Sequence, residues 1–221
     1  MKDGYKDFFN YFNINESDII SYGLDSIITI DATIIEKNWQ HLKNELMNDK
    51  EVVIRGYGRD ALGTNLYINA YKHIFNNNKV KKDPTNNANP QRLIQQLTGL
   101  KRNKDISNYQ VSHVFGRTKN PLAFMAGWNI IYIPKILDPF TGHESKGELT
   151  KNFTLALQKL IYNKFNKQID DFNRIVSDKE LKLCIDEYIQ HLKSDDSILD
   201  KKISQFEIDI RKEFTPILLN K

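Results

Sequence analysis

The clearest helical period lies in residues 31–48, where Ile35, Trp39, Leu42 and Leu46 step by four, three and four and so share one face. Asp31 stands where a cap for the first turn belongs. Leu66, Ala70 and Ile74 line up over 64–75 and predict a second helix. Asn89-Pro90 and Gly99 bracket a short third one, a cap followed by proline at the first helical position and a glycine at the end. Beyond Glu148 the pattern is helical again over 153–165, 179–192 and 199–214. In the last, Ile203, Phe206, Ile210 and Phe214 step by three, four and four. Strand character belongs to 51–55, a β-rich run ended by Gly56 and Gly58, and to the alternating stretch 109–115. Residues 76–89 are rich in Asn and Lys, contain Pro84 and read as a loop. Residues 116–147 carry Pro121, Pro134, Pro139 and four glycines and read as irregular. The order predicts an α+β protein with a mixed helical part over 1–104, a small β-bearing core over 105–150 and a helical part over 151–221, all in one domain.

Composition narrows the class. With 221 residues, 40% of them hydrophobic and 27% charged, the chain can bury a core without disulfides or structural metal. Its one cysteine, Cys184, falls in a predicted helix as a small apolar filler and excludes an internal disulfide framework or a Cys-based zinc site. No apolar run approaches the roughly 18–20 residues of a membrane span. The N-terminal MKDGYKDFFNYF lacks the apolar stretch of a secretory signal and carries two acids, so the expected location is the cytoplasm with no membrane partner. Abundant Lys, Ile and Asn read as AT-rich codon usage.

The net charge of +4 conceals an asymmetry. Residues 51–120 hold 12 Lys and Arg against four acids, whereas 170–221 hold nine against 12. A basic centre beside a mildly acidic C-terminal part is the footprint of a nucleic-acid binder.

The segment that carries chemistry runs from Asn108 through Ser112-His113-Val-Phe-Gly-Arg117-Thr-Lys119, then Trp128-Asn129-Ile-Ile-Tyr-Ile-Pro, then Asp138-Pro-Phe-Thr-Gly-His143-Glu144. A predicted strand ends at His113, Asn129 follows sixteen residues later and His143 fourteen after that. A neutral imidazole can take a proton from an attacking water near pH 7, and a divalent cation can polarise a phosphate and stabilise the leaving oxygen. In order and approximate spacing, His113, Asn129 and His143 resemble the HNH or ββα-metal nucleases, the restriction-endonuclease-like members among them. The resemblance covers about a sixth of the chain. It implies a ββα-metal-like core flanked by helices, with His113 as general base and Asn129 bracing the fold or binding metal. The third position would fall to His143 or to Asp138, which stands at the family's usual spacing. Ser112 occupies the place where that pattern has Asp or His. The implied cofactor is Mg²⁺ or another divalent cation, and the implied activity is hydrolysis of DNA phosphodiester bonds by a type II restriction or defence endonuclease. Arg117 and Lys119 are placed to hold the scissile phosphate, and Arg55, Arg59 and Arg92 to touch the DNA backbone or bases. Double-strand cleavage at a palindrome would suit a homodimer on double-stranded DNA.

Other patterns compete. Asp138 with Glu144-Ser145-Lys146 carries the letters of the PD-(D/E)xK nucleases, which would make Asp138 and Glu144 metal ligands and Lys146 the residue that orients water. The run from Gly56 to Gly63 is glycine-dense but lacks the Gly-Lys-Ser/Thr ending of a phosphate loop. From another class comes a DNA-binding protein without catalysis, its predicted helices over 64–75 and 90–98 acting as a reader through Arg92, Gln95 and Gln96. His41, His73 and His191 fall on predicted helices and read as surface or core residues.

Overall fold

Side-chain caps set most helix starts. In the computed structural model, which describes residues 2–56, 61–142, 144–195 and 197–219, Asp3 accepts from the amides of Tyr5 and Lys6 and opens α1 (Gly4–Tyr11). The Asn15 amide donates to Asp18 at 3.1 Å at the start of α2 (Glu16–Ser26). Asp31 caps α3 (Ala32–Met47) through the Thr33 amide at 2.8 Å, and Ile35, Trp39, Leu42 and Leu46 are the buried face, as their spacing predicts.

Next comes a parallel pair joined by a helix: β1 (Val52–Ile54), α4 (Ala61–Phe75) and β2 (Val80–Lys82), with Val52 opposite Val80 and Ile54 opposite Lys82. β2 lies inside the stretch expected to be a loop. Two of its three residues are exposed lysines, so no apolar pattern marks it. Buried Asn77 ties the turn before it to α3 by donating to the Leu46 and Lys50 carbonyls at 2.9 and 3.0 Å. The third expected helix exists as α5 (Ala88–Thr98), but it starts before Pro90. Its first turn is organised by Asp83, whose carboxylate accepts from the amides of Thr85, Ala88 and Asn89 and from the Asn89 side chain. Gly99 ends it at φ 73.

The hairpin follows. β3 (Tyr109–His113) pairs antiparallel with β4 (Ile130–Pro134), placing His113 opposite Ile130. Between them lie the short helix α6 (Pro121–Phe124) and a 3₁₀ turn at Gly127–Asn129. The region expected to be irregular therefore holds a strand whose five residues are all buried. Such a continuous apolar run has no alternation to betray it, and Pro134 ends it without interrupting it. After β4 a 3₁₀ segment, Lys135–Thr141, leads to α7 (Glu148–Val176). The expected helix end at Phe165 is a kink (φ −126, ψ 30), and the helix runs on through buried Ile169, Phe172 and Val176. Its first half reaches the hairpin, where Gln158 donates to the Val114 carbonyl and Thr154 to the Phe140 carbonyl. Its second half packs on α3.

The helices α8 (Lys179–Lys193) and α9 (Asp200–Glu213) close the chain, and Ile203, Phe206 and Ile210 are buried as their spacing predicts. The architecture is α+β with a helical C-terminal part, and a contiguous apolar core runs from Ile19 to Ile217. Trp39 and Trp128 meet edge-on at its centre, 5.9 Å between rings. Cys184 is half-buried rather than enclosed, and His41, His73 and His191 are exposed on α3, α4 and α8. Among the described residues no helix is long and apolar enough to cross a membrane.

One polar knot fastens α3 to the second half of α7. Asp171 accepts from the Trp39 indole at 2.8 Å and Lys43 at 2.6 Å, and also pairs with Arg174. Burial alone would push this carboxyl up, but the bonds from Lys43, Arg174 and Trp39 outweigh it and hold the pKa at about 2. A carboxyl depressed on folding contributes stability above its unfolded pKa of about 3.9 and loses it as pH falls through the folded value. We expect Asp171→Asn to lower the thermal midpoint clearly at pH 7 and to converge with wild type between about pH 4 and pH 2. A gap that stays constant across that range in a pH series of melting curves would refute the assignment.

Candidate active site at the end of the hairpin

His113 is the last residue of β3 and only 6% exposed. Its ring stacks on Phe124 (centroids 5.2 Å apart, planes 12° apart), and Nε2 lies 3.0 Å from the Phe124 carbonyl oxygen. A carbonyl only accepts, so this bond requires the proton on Nε2 and leaves the lone pair of the neutral ring on Nδ1. The backbone thus fixes both the tautomer and the ring plane.

The loop that supplies Phe124 is held from two sides. Asn129 is fully buried at the start of β4. Its Oδ1 accepts from the Phe115 amide at 2.9 Å, while Nδ2 donates to the Gly116 carbonyl at 2.9 Å and to the Ala123 carbonyl at 3.0 Å. The Asn129 carbonyl takes the Val114 amide as well. Of the two roles expected for it, bracing the fold or binding metal, this geometry fits the brace: both amide protons are engaged and the oxygen faces a backbone N–H with no access to solvent.

On the other side stands Glu213, a residue that sequence reasoning passed over because it ends an ordinary amphipathic helix. Its carboxylate accepts from the Lys119 and Asn120 amides at 3.0 and 3.1 Å, and its carbonyl takes the Asn120 side chain. Burial pushes this carboxyl up, against the opposing pull of Lys119 and Arg117. Arg117, expected to hold a phosphate, instead turns toward its own chain. The guanidinium donates to the carbonyls of Thr215, Phe115 and Pro216 and faces Glu213. Its backbone adopts φ 55 directly after Gly116 at φ 65, a left-handed pair that a non-glycine residue holds only when its surroundings fix it. Lys119 is half-buried with its ammonium over the Tyr67 ring.

The remaining candidates scatter. Asp138 is half-buried in the 3₁₀ segment that follows β4. His143 and Arg59 lie outside the described residues. Glu144 and Lys146 sit exposed in the turn before α7, not on an apolar strand, which removes the support that the PD-(D/E)xK arrangement needs. Arg55 and Arg92 are exposed, the second on α5. Among the described residues, no group of three His, Cys, Asp or Glu side chains gathers where a metal could bind. A large apolar cavity of about 870 Å³ opens between α1, α2 and the 3₁₀ segment, lined by Tyr5, Phe8, Phe9, Tyr22 and Phe140 among others.

Residues 30–219 match the protein family described as "Uncharacterised protein PM1201". A relative of that description from Pasteurella multocida (strain Pm70) is 48% identical over 176 residues, which cover 79% of this chain and 80% of the relative. The chain belongs to this family. No solved structure matches it.

The two roles considered for Asn129 separate by experiment. As a brace, Asn129→Ala takes the side-chain partner from the Phe115 amide and from the Gly116 and Ala123 carbonyls and costs about 3 kcal/mol or more of folding stability. Urea unfolding reads this as a lower midpoint at an unchanged slope. An unchanged midpoint would mean that the carboxamide is there for a ligand.

Proposed function

We propose that this protein is a divalent-metal-dependent endonuclease that acts in the cytoplasm on double-stranded DNA, as a restriction or other defence enzyme. The observation that carries the reading is His113: an imidazole at the end of the first strand of a hairpin, its ring held by stacking on Phe124 and by a backbone carbonyl at Nε2. The order around it, strand, braced loop, strand and then helix, is the order of the ββα-metal nucleases that the residues of this segment resemble.

The chemistry follows from the parts. As general base the His113 imidazole would accept a proton from the attacking water, and the Phe124 carbonyl would stabilise the imidazolium that forms by holding the Nε2 proton. Because the ring is nearly buried, its position is fixed before substrate arrives, which favours reaction over reorganisation. Asp138 or His143, the two alternatives for the third position of the resemblance, would hold the cation, which supplies Lewis-acid polarisation of the phosphate when bound. Arg55, Arg92, Lys101 and Lys104 are exposed around the basic centre and supply the non-specific attraction to DNA. A homodimer would give one active site for each strand.

Supercoiled plasmid incubated with wild type in Mg²⁺ or Mn²⁺ should be cut and should stay intact in EDTA. His113→Ala should lower the cleavage rate by at least about a hundredfold, the contribution of a general base, and leave DNA affinity within about twofold. Cleavage retained by His113→Ala would remove His113 from the mechanism. Salt-sensitive binding without cleavage under any metal would replace the nuclease by a non-catalytic DNA-binding protein.

A further inference from the structure

A second cavity, of about 310 Å³, lies beside β3 and is lined by Thr85, Asn87, Gln91, Arg102, Gln110 and Val111. Five of these six side chains are polar and none is acidic. Arg102 donates from Nη2 to Gln91 Oε1 at 2.7 Å, while its Nε is buried and has no hydrogen-bond partner among the described residues. A guanidinium N–H withdrawn from water and left unpaired is costly, and the cost is removed by an anion that enters the cavity. Two carboxylates lie near the lining residues in sequence: exposed Asp105 accepts from the Lys101 amide, and fully buried Asp83 already accepts four hydrogen bonds at the start of α5. Asp83 shapes the loop that carries Thr85 and Asn87. Exposed Lys82, Lys101 and Lys104 flank the lining residues in sequence.

We propose that this cavity binds a phosphate group of the substrate strand, with Arg102 as its charged contact and the Thr85 hydroxyl and the Asn87, Gln91 and Gln110 amides as further donors. The inference rests on the nucleic-acid reading above and adds to it a phosphate subsite away from the reacting centre. Position supports it: Val111 lines the cavity and precedes His113 by two residues on the same face of β3, about 7 Å along the strand.

Binding measured in EDTA, where no cleavage interferes, tests the subsite with a fluorescent duplex over a salt series. Wild type should lose affinity linearly in log salt, and Arg102→Gln should flatten that slope by about one and weaken binding roughly tenfold at fixed salt, to the same extent for unrelated sequences. Gln110→Glu, which places a negative charge against the site and leaves the Arg102–Gln91 bond in place, should weaken binding in the same way and guards against a folding defect in the first variant. Competition by inorganic phosphate, weaker for Arg102→Gln than for wild type, would mark the bound group as phosphate itself. Unchanged slope and affinity in both folded variants would overturn the subsite, as would a loss confined to one base position, which marks base readout. Plasmid cleavage by wild type runs alongside: an Arg102-dependent slope without cleavage keeps the subsite and removes the nuclease, whereas cleavage with no Arg102 effect does the reverse.

Discussion

The Asn129 carboxamide is the constraint on which the candidate site depends. Fully buried at the start of β4, it closes three hydrogen bonds across the loop that joins the hairpin strands. That loop carries the Phe124 carbonyl, and the Phe124 carbonyl fixes the His113 ring. Position therefore passes from one side chain to another through backbone alone. No member of the chain of contacts is a long flexible side chain, so little rotamer freedom is lost in holding the imidazole. Asp would lack the two amide donors and Gln would reach too far, so the geometry singles out asparagine among the polar residues.

The same loop is clamped from the far end of the sequence. Glu213 and the carbonyls of Thr215 and Pro216 meet Arg117, Lys119 and Asn120 across roughly a hundred residues of chain. Glu213 is half-buried, and burial holds its carboxyl above the ordinary range although the Lys119 and Arg117 charges and two backbone N–H groups pull it down. The acidic character of the C-terminal part thus has an internal use: one of its acids stands within the field of Arg117 and Lys119 of the basic segment. The left-handed Arg117 is held by that clamp, so the end of α9 sets the conformation of the loop after His113.

Much of the fold was legible because its signals are periodic. The buried faces of α3 and α9 and the existence of β1, α4, β3 and α8 follow from apolar spacing and caps. Where reading failed, a physical reason is visible in each case. β2 is three residues with exposed lysines, and β4 is buried on every side and so lacks alternation. In α7 the polar stretch of Asn166, Lys167 and Gln168 interrupts the pattern after Phe165, although the apolar steps through Ile169, Phe172 and Val176 continue. Asparagine abundance has a structural use as well: Asn13, Asn76, Asn86, Asn103 and Asn108 all sit at positive φ, the left-handed turns that this side chain tolerates. In the site, the place of His113 at the end of a strand was legible from alternation. The inward turn of Arg117 was not, because its partners lie in the C-terminal segment, and no local pattern reports a contact between residues 98 apart.

These contacts also change what the charge count means. The excess of positive charge in residues 51–120 does not form one uniform surface. Arg117 and Lys119 face the interior or an aromatic ring, Lys81 pairs with Glu51 across the parallel strands, and Arg102 is half-withdrawn beside Gln91. What remains outward among the described residues is a set of separate cations: Arg55 after β1, Lys72 on α4, Lys79 and Lys82 at β2, Arg92 on α5, and Lys101 and Lys104. Exposed lysines of that kind contribute to encounter and are screened within about 8–10 Å at ordinary salt. A cation held partly out of water in fixed geometry contributes to register, because desolvation strengthens its interaction with an anion and its fork admits one orientation. For a protein that must place one phosphate at His113 among many along a strand, the second kind of contact is the one that discriminates.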